Sequence, residues 1–297
     1  MKHVLRELST SLSELVESSG QSAVGVEARN RLGSSGFIWK PGVIVTAAHT
    51  VRREDDIPVF LPNGKRASAK LAGIDYGTDL AVLRVEGAAG PELKRAETVR
   101  TGELVVAVGR HQPGVLAAMG MVSSAGGAWM TWRGSQLEAL LRLDIGTSPR
   151  SSGSAVFNAE GQFTGMLTSG LTRTAPVAIP AATIERIATE LNEHGRVARG
   201  YLGVGLQPVP FPPAFAEALG RPQRGGVMVL SVEADGPAAK AGILPGDVFA
   251  EIDGRPVTDT EELQAVLYGS IGRELTAVIF RAGLRTEIVV KIGARRK

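Results

Sequence analysis

Short apolar runs rich in β-branched residues follow one another from Ala23 to Pro180. The first set comprises AVGVEARN, GSSGFIW, GVIVTAAH, IPVFLP, ASAKLAGID and LAVLRVEG, and the second comprises LVVAVGR, GMVSSAGG, EALLRLDIG, SAVFNAEGQFTGMLTSG and PVAIP. Gly, Asp or Pro-Asn-Gly separates many of the runs. Runs that recur about every ten residues with turn residues between them are typical of a barrel or a sandwich. The pattern therefore predicts two sets of strands.

Helical periodicity marks two other segments. Apolar residues of segment 1–20 recur at helical spacing between charged residues, at Val4, Leu5, Leu8, Leu12, Leu15 and Val16. This predicts an amphipathic helix that packs on its own protein or on a neighbouring subunit. A second helix is predicted from Ala181, with Gly195 as its C-cap and one apolar face formed by Ile184, Ile187, Ala188 and Leu191.

The chain is expected to contain two domains, as its 297 residues suggest. The predicted boundaries are 1–20 for the N-terminal helix, 21–195 for the double set of strands with its closing helix, and 196–297 for a smaller mixed domain. That last segment follows the short linker RVARG and contains strands and at least one helix, TDTEELQAVLYG.

Composition indicates a globular protein, because 43% of the residues are hydrophobic and 21% are charged. The formal net charge is only +3, and the basic C-terminal GARRK is interpreted as a solvated end, so no nucleic-acid partner is expected. The chain has no cysteine and no zinc-type Cys/His spacing. Disulfides and thiol chemistry are therefore excluded, and neither a metal nor a cofactor is predicted.

The N-terminal segment lacks the unbroken apolar run of a signal peptide or a membrane span. The chain as written is therefore expected to be cytoplasmic, or periplasmic or otherwise extracytoplasmic if a leader has been removed.

Three residues form a candidate catalytic set. His49 stands in TAAHTV at a strand end, Asp79 opens an apolar strand in GTDLAVLRV, and Ser152 lies in the turn PRSSGSA. Each residue alone is more often structural. Together they provide a nucleophile, a base to take its proton and an acid to orient that base, in the chain order His, Asp, Ser of one known triad.

The motifs TAAHTV, GTDLAVLRV and SSGSAVFNAEGQFTGM resemble those of the HtrA/Deg family of serine proteases. The resemblance implies a mostly β fold, with a chymotrypsin-like double β-barrel followed by a smaller α+β PDZ domain. It also implies a serine endopeptidase that cleaves unfolded or misfolded proteins without ATP. On this resemblance Ser152 is the nucleophile, His49 the general base and Asp79 its orienting acid, while the backbone N–H groups of Arg150 and Ser152 form the oxyanion hole.

The nucleophile segment departs from the family pattern at three positions. Arg150 and Ser154 replace glycines, and Ala155 replaces a proline, whereas Asp144 matches the aspartate that opens the segment. If position 150 requires a positive φ, an arginine there is strained and the oxyanion donor is misplaced. Two interpretations follow: an attenuated or switchable protease, or an inactive protease fold that acts as a chaperone or scaffold. Ser151 and Ser154 are alternative nucleophiles, and an esterase on the same triad is a third possible function.

The resemblance extends to binding surfaces. RGYLGVGLQ and GPAAKAGILPGD look like a protease-linked PDZ domain, in which the backbone N–H groups of Tyr201, Leu202, Gly203 and Val204 would bind a peptide C-terminus. The helix from Thr258 to Tyr268 would form the opposite wall through Leu263 and Leu267. The resemblance further implies a trimer formed through the N-terminal segment, and a pocket for the residue before the scissile bond near Thr147–Arg150 and Met166–Gly170.

Overall fold

The computed structural model describes residues 2–29, 32–112, 114–172 and 174–294. The basic residues 295–297 of the predicted solvated tail lie outside the described residues. The chain divides into two compact units, Met1–Val197 and Ala198–Lys297. Among the described residues, no helix combines the length and the apolar character needed to cross a bilayer.

The first strands of unit 1 close into a barrel in the order β1, β2, β3, β6, β5, β4. Their bounds are β1 Ala23–Val26, β2 Ser34–Lys40, β3 Val43–Ala47, β4 Ile57–Phe60, β5 Arg66–Asp75 and β6 Leu80–Arg84. Branched aliphatic side chains fill the barrel, because they pack densely on a pleated surface. The buried set includes Val24, Ile44, Ile57, Val59 and Leu83.

The following strands form a second closed barrel in the order β11, β14, β13, β12, β7, β8. Their bounds are β7 Leu104–His111, β8 Gly114–Gly126, β11 Leu140–Ile145, β12 Ala155–Asn158, β13 Phe163–Thr168 and β14 Val177–Pro180, with β9 Trp129–Met130 and β10 Gln136–Leu137 paired outside the barrel. A shared core joins the two barrels: the rings of Phe37 in β2 and Phe163 in β13 lie 5.2 Å apart.

Two helices flank the barrels. α2, Ala181–His194, buries the predicted face on the shared core, and Gly195 ends it with φ 73° and an N–H donated to the carbonyl of Leu191. α1, Lys2–Ser19, packs Leu12, Leu15 and Val16 on the same core, whereas Val4, Leu5 and Leu8 nearer its start are exposed. Arg110 of β7 donates hydrogen bonds to the carbonyls of Gly20 and Ala23, which fixes the chain just after α1.

Unit 2 contains an antiparallel sheet in the order β16, β17, β18, β20, β21, with β19 paired to β18. Its elements are β15 Gly200–Tyr201, β16 Val204–Pro210, α3 Pro213–Leu219, β17 Gly225–Val232, α4 Pro237–Lys240, β18 Val248–Ile252, β19 Arg255–Pro256, α5 Thr260–Leu267, β20 Glu274–Arg281, β21 Leu284–Lys291 and β22 Gly293–Ala294. Helix α5 packs beside β15 and β16. The predicted fold class, mostly β with a double barrel followed by a smaller α+β domain, is confirmed.

Candidate active site

Strand pairing brings His49 and Asp79 together. Ala47 at the end of β3 pairs with Leu80 at the start of β6, so the residues just beyond these ends become neighbours. His49 lies in the 3₁₀ turn Ala48–Thr50, and its Nδ1 is 2.8 Å from Oδ2 and 3.1 Å from Oδ1 of Asp79. The backbone N–H of His49 also donates to Oδ1 of Asp79 at 2.8 Å.

The surroundings of Asp79 suit an orienting acid. Its side chain is 2% exposed, whereas that of His49 is 28% exposed, so the imidazole can reach a substrate and the carboxylate cannot. Asp79 has φ 59°, a left-handed conformation that aspartate tolerates better than most residues. The turn that presents it is held by Asp75, whose Oδ2 accepts hydrogen bonds from the N–H and the hydroxyl of Thr78.

Thr168 and Gly170 complete this pair. The hydroxyl of Thr168 donates to Oδ2 of Asp79 and accepts the N–H of Gly170. At Gly170 a Cβ would lie 2.5 Å from Oδ2 of Asp79 and 2.6 Å from Nδ1 of His49, so this position must be a glycine. The stretch MLTSG contains both residues. The family resemblance places this stretch at a substrate pocket, and no local pattern indicates its contact with a carboxylate 89 positions away.

Ser152 lies in a buried turn between β11 and β12 and is 5% exposed. Its carbonyl accepts the N–H of Ser35 from the first barrel, and the N–H of Gly153 donates to the carbonyl of Leu167. Gly153 has φ 92°, and a Cβ there would collide with the carbonyl oxygen of Ser35. The turn therefore requires a glycine directly after Ser152, as the motif comparison assumed.

The hydroxyl of Ser152 shares a hydrogen bond of 3.2 Å with the hydroxyl of Ser169. The pairing of Ala155 with Met166 explains this contact, because it makes the residues beyond these two positions neighbours. In the described part of the chain, Ser152 Oγ has no hydrogen bond to His49. The structure thus holds a formed His–Asp pair beside a serine whose hydroxyl is turned to another partner.

Arg150 adopts an ordinary backbone conformation, since its φ is not positive. The steric strain considered for an arginine at this position is therefore absent. Its N–H donates to Ser148 Oγ at 3.3 Å, and its carbonyl accepts the Ser35 hydroxyl at 2.9 Å. The preceding carbonyl, that of Pro149, accepts a guanidinium N–H of Arg29 at 2.6 Å. These contacts fix the peptide group that carries the predicted oxyanion donor.

The other singled-out residues of this segment have different surroundings. Ser151 Oγ accepts the N–H of Ser148 and shares a hydrogen bond with its hydroxyl, and Ser154 is 3% exposed. Asp144 is exposed on β11. Met166, predicted near the pocket for the residue before the scissile bond, is fully buried in the core shared by the two barrels. Of the serines in the turn, Ser152 is the one whose hydroxyl faces the segment 168–170.

In unit 2 the segment Tyr201–Val204 joins β15 to β16. The carbonyls of Leu202 and Gly203 accept N–H groups of Ala238 and Glu233, and Gly203 has φ 78°. The Tyr201 hydroxyl donates to the carboxylate of Glu233.

Among the described residues, β16 ends the sheet, so one of its edges is unpaired by any strand. Leu263 and Leu267 of α5 were expected to form the opposite wall of the peptide groove. Both are instead buried in the core of unit 2.

Two family models match the chain. The trypsin-like peptidase domain matches residues 34–166, which contain all three candidate catalytic residues, and the PDZ domain matches residues 228–281.

Curated relatives include a probable periplasmic serine endoprotease, DegP-like, from Halomonas elongata, which is 32% identical over 280 residues. A protein of the same description from Pseudomonas fulva is 33% identical over 274 residues. These alignments cover 90% and 88% of the chain, and the chain spans only 57% and 56% of the relatives' own lengths.

Solved structures similar to the chain include the HtrA-type protease AlgW with a decapeptide, at TM-score 0.76 and 26% identity, covering 96% of this chain and 99% of that one. The serine endoprotease from Yersinia pestis has TM-score 0.74 and 26% identity, covering 96% and 98%. The two family models, the DegP-like relatives and the HtrA-type structure agree, and the chain belongs to the HtrA/Deg family of PDZ-containing serine proteases.

Proposed function

We propose that the chain is a serine endopeptidase in which Ser152 attacks the scissile carbonyl and His49 takes the hydroxyl proton. Asp79 orients His49 and stabilises its charged form, and His49 then donates the proton to the leaving amine. The observation that carries this proposal is the buried Asp79 carboxylate bonded to His49 Nδ1 beside the Ser152 turn. The backbone N–H groups of Arg150 and Ser152 are assigned to the oxyanion.

The resting site is proposed to be attenuated. Attack by Ser152 requires its hydroxyl to leave Ser169 and turn to His49, which is a rotation about one side-chain bond. The N–H of Arg150 must likewise exchange Ser148 Oγ for the oxyanion. A substrate that supplies the oxyanion favours both changes, since an oxyanion donor contributes on the order of 3 kcal/mol to transition-state stabilisation.

The proposed substrates are extended segments of unfolded or misfolded proteins, cleaved without ATP. The PDZ unit would bind peptide C-termini at Tyr201, Leu202, Gly203 and Val204. The C=O and N–H of a trans peptide point in opposite directions. Since the carbonyls of Leu202 and Gly203 accept hydrogen bonds from Ala238 and Glu233, the N–H groups of the same two peptides point away from these donors. These are the N–H groups of Gly203 and Val204. One edge of β16 pairs with no strand of the described residues, and the peptide would add there as a further strand.

The proposal also includes the oligomeric state of the protein and its location in the cell. We expect a trimer formed through α1, whose first two turns expose Val4, Leu5 and Leu8. The names of the relatives include the word periplasmic, which favours an extracytoplasmic location over the cytoplasmic one expected from the N-terminal segment.

A second candidate function is a catalytically inactive binding protein with a protease fold. The contact of Ser152 with Ser169 favours it, since a hydroxyl held by another serine is not activated by His49. In that case the PDZ groove would carry the function alone.

Fluorophosphonate labelling separates the two candidates, because only a serine activated by a base reacts quickly. The full chain, Ser152→Ala and Arg150→Gly are labelled with and without an unfolded substrate and a peptide with a free C-terminus, with the amidated peptide as control. The probe is expected to label the parent and not Ser152→Ala. Faster labelling of Arg150→Gly would identify the arginine as a brake on the oxyanion hole. If the parent stays unlabelled under every condition, the binding-protein function replaces the protease.

A further inference from the structure

A pocket of about 630 Å³ opens beside Arg150, between the two barrels of unit 1. Its charged lining comprises Arg29, Arg53, Arg66, Arg150, His111 and Glu27. A second pocket, lined in part by Thr147 and Ser148, is separate from it.

The charge of this pocket is strongly positive. Among the residues that the structure describes, four guanidinium groups line it with a single carboxylate, Glu27, which lies 3.7 Å from Arg66. The guanidinium of Arg29 donates to the carbonyls of Leu32 and Pro149 rather than to an acid, so its charge is not neutralised there. Burial lowers the pKa of Arg29, and the positive charge of Arg52 lowers it further. Both observations indicate a site that favours a negative ligand.

The position of the pocket relative to the triad indicates which part of a substrate reaches it. His49 protonates the leaving amine, so the residues after the scissile bond leave along the His49 side of Ser152. Arg53, four residues beyond His49, borders the pocket, and so does Gly33, two residues before the Ser35 that binds the Ser152 carbonyl. Arg150, beside the predicted oxyanion hole, forms the near wall. A substrate chain downstream of the cut would therefore run towards the pocket that the four arginines line.

We propose that this cationic pocket binds a carboxylate carried by the substrate two to three residues after the scissile bond, and the proposal rests on the proposed protease function. An extended chain advances about 3.3 Å per residue, so the side chains at these two positions are the first beyond Arg150 that can enter. Either an acidic side chain or a free C-terminus supplies the carboxylate. The pocket thus selects acidic sequences, or ends of chains, downstream of the cut.

The test measures kcat/KM on matched quenched-fluorescence peptides. One series has Glu, Gln or Lys at both the second and third positions after the cut, and a second series ends at the third position with a free or an amidated C-terminus. Mass spectrometry of the products fixes the cut. The parent is expected to prefer Glu to Gln about fivefold, the effect of a partly screened ion pair. The second series distinguishes a terminal carboxylate from a side-chain one.

The double variant Arg53→Glu/Arg66→Glu should reverse the preference, so that kcat/KM is higher for the Lys peptide than for the Glu peptide. The neutral double variant Arg53→Gln/Arg66→Gln should bring the ratio of kcat/KM for the Glu and Gln peptides close to one. Arg29 and Arg150 are left intact because they contact the segment of the oxyanion donor. Arg142, exposed on β11 and outside the pocket lining, provides the control: Arg142→Glu should retain the ratio of the parent.

Cleavage of all peptides with equal kcat/KM, or the same preference in the Arg53/Arg66 variants as in the parent, overturns this inference and leaves the protease intact. Absence of both cleavage and fluorophosphonate labelling overturns the proposed function, and the inference with it.

Discussion

At the residue scale, the geometry of the proposed triad depends on Gly170, a position without a functional side chain. Gly170 follows Thr168 by two residues, and its N–H bonds the hydroxyl that in turn binds Asp79. A side chain at position 170 would occupy the space between His49 and Asp79. The glycine therefore permits the close packing of the two proposed catalytic residues, His49 and Asp79, against the segment after β13.

Gly170→Ala should separate His49 from Asp79 and slow fluorophosphonate labelling about 10²-fold, since small displacements of catalytic groups have effects of this size. Gly127→Ala is the matched control, because a Cβ at position 127 meets nothing within 4 Å and its φ is not positive. Labelling of Gly170→Ala at the rate of the parent would show that the His49–Asp79 contact is not needed for activation.

At the scale of elements, an ion pair joins the strands of the PDZ sheet. Asp247, directly before β18, is 1% exposed and accepts the N–H of Leu244 and two hydrogen bonds of 2.8 Å from Arg281 at the end of β20. Burial by itself raises the pKa of Asp247, but the hydrogen bonds of Arg281 and Leu244 outweigh it, so the pKa is lowered. In the motif GILPGD, the hydrogen bond from Leu244 to Asp247 therefore closes the turn before β18.

This pair makes the stability of unit 2 depend on pH. Because the pKa of Asp247 is lower in the folded state, its stabilisation is complete above the ordinary carboxyl pKa of about 4 and is lost as pH falls through the folded value. Arg281→Met should cost about 2 kcal/mol of unfolding free energy at pH 7, discounted for the 37% exposure of Arg281, and less at pH 2.

Urea unfolding read by pulsed hydrogen exchange at peptides from β18 and β20 provides the measurement. Arg285→Met is the control, since Arg285 and its partner Glu287 are both exposed and the change should stay within about 0.5 kcal/mol. An equal loss at both pH values for Arg281→Met would mean that packing of the side chain, and not the charge of Asp247, is responsible.

At the scale of the whole molecule, α1 contains both a packed and an unpacked part. Its second half is part of the core of unit 1, whereas Val4 and Leu5 are both 64% exposed. The apolar face of this helix is thus packed on the core in its second half and exposed to solvent near its start. An apolar surface of this kind is typical of an association site, which agrees with the proposed trimer.

Leu5→Glu/Leu8→Glu should dissociate the trimer, since burying two carboxylates at an apolar interface is costly. Light scattering on the eluting protein is expected to give three times the chain mass for the parent and a single chain mass for the variant. Leu284→Glu, at a leucine 72% exposed in unit 2, should leave the mass of the parent unchanged. A parent that elutes as a single chain at all concentrations would remove the trimer from the proposal.

The sequence by itself determined the alternation of strands, the closing helix with its Gly195 cap and the motifs around His49, Asp79 and Ser152. These features are local, because side-chain periodicity and turn residues act over a few positions. The comparison of motifs then supplied the family. It also raised the question whether Arg150 is strained at an oxyanion-hole position, which local sequence patterns do not answer.

Only the tertiary structure decided which distant residues meet. The packing of the two barrels against each other brings Thr168 to Asp79 and Arg29 to Pro149, and it collects the arginines of the cationic pocket from separate segments. It also sets a φ for Arg150 that is not positive, and it turns the Ser152 hydroxyl towards Ser169. Periodicity tells which face of a strand is buried, but it does not tell which remote strand or loop covers that face. The contacts that tune this site therefore follow from the packing of the two barrels and not from any local pattern.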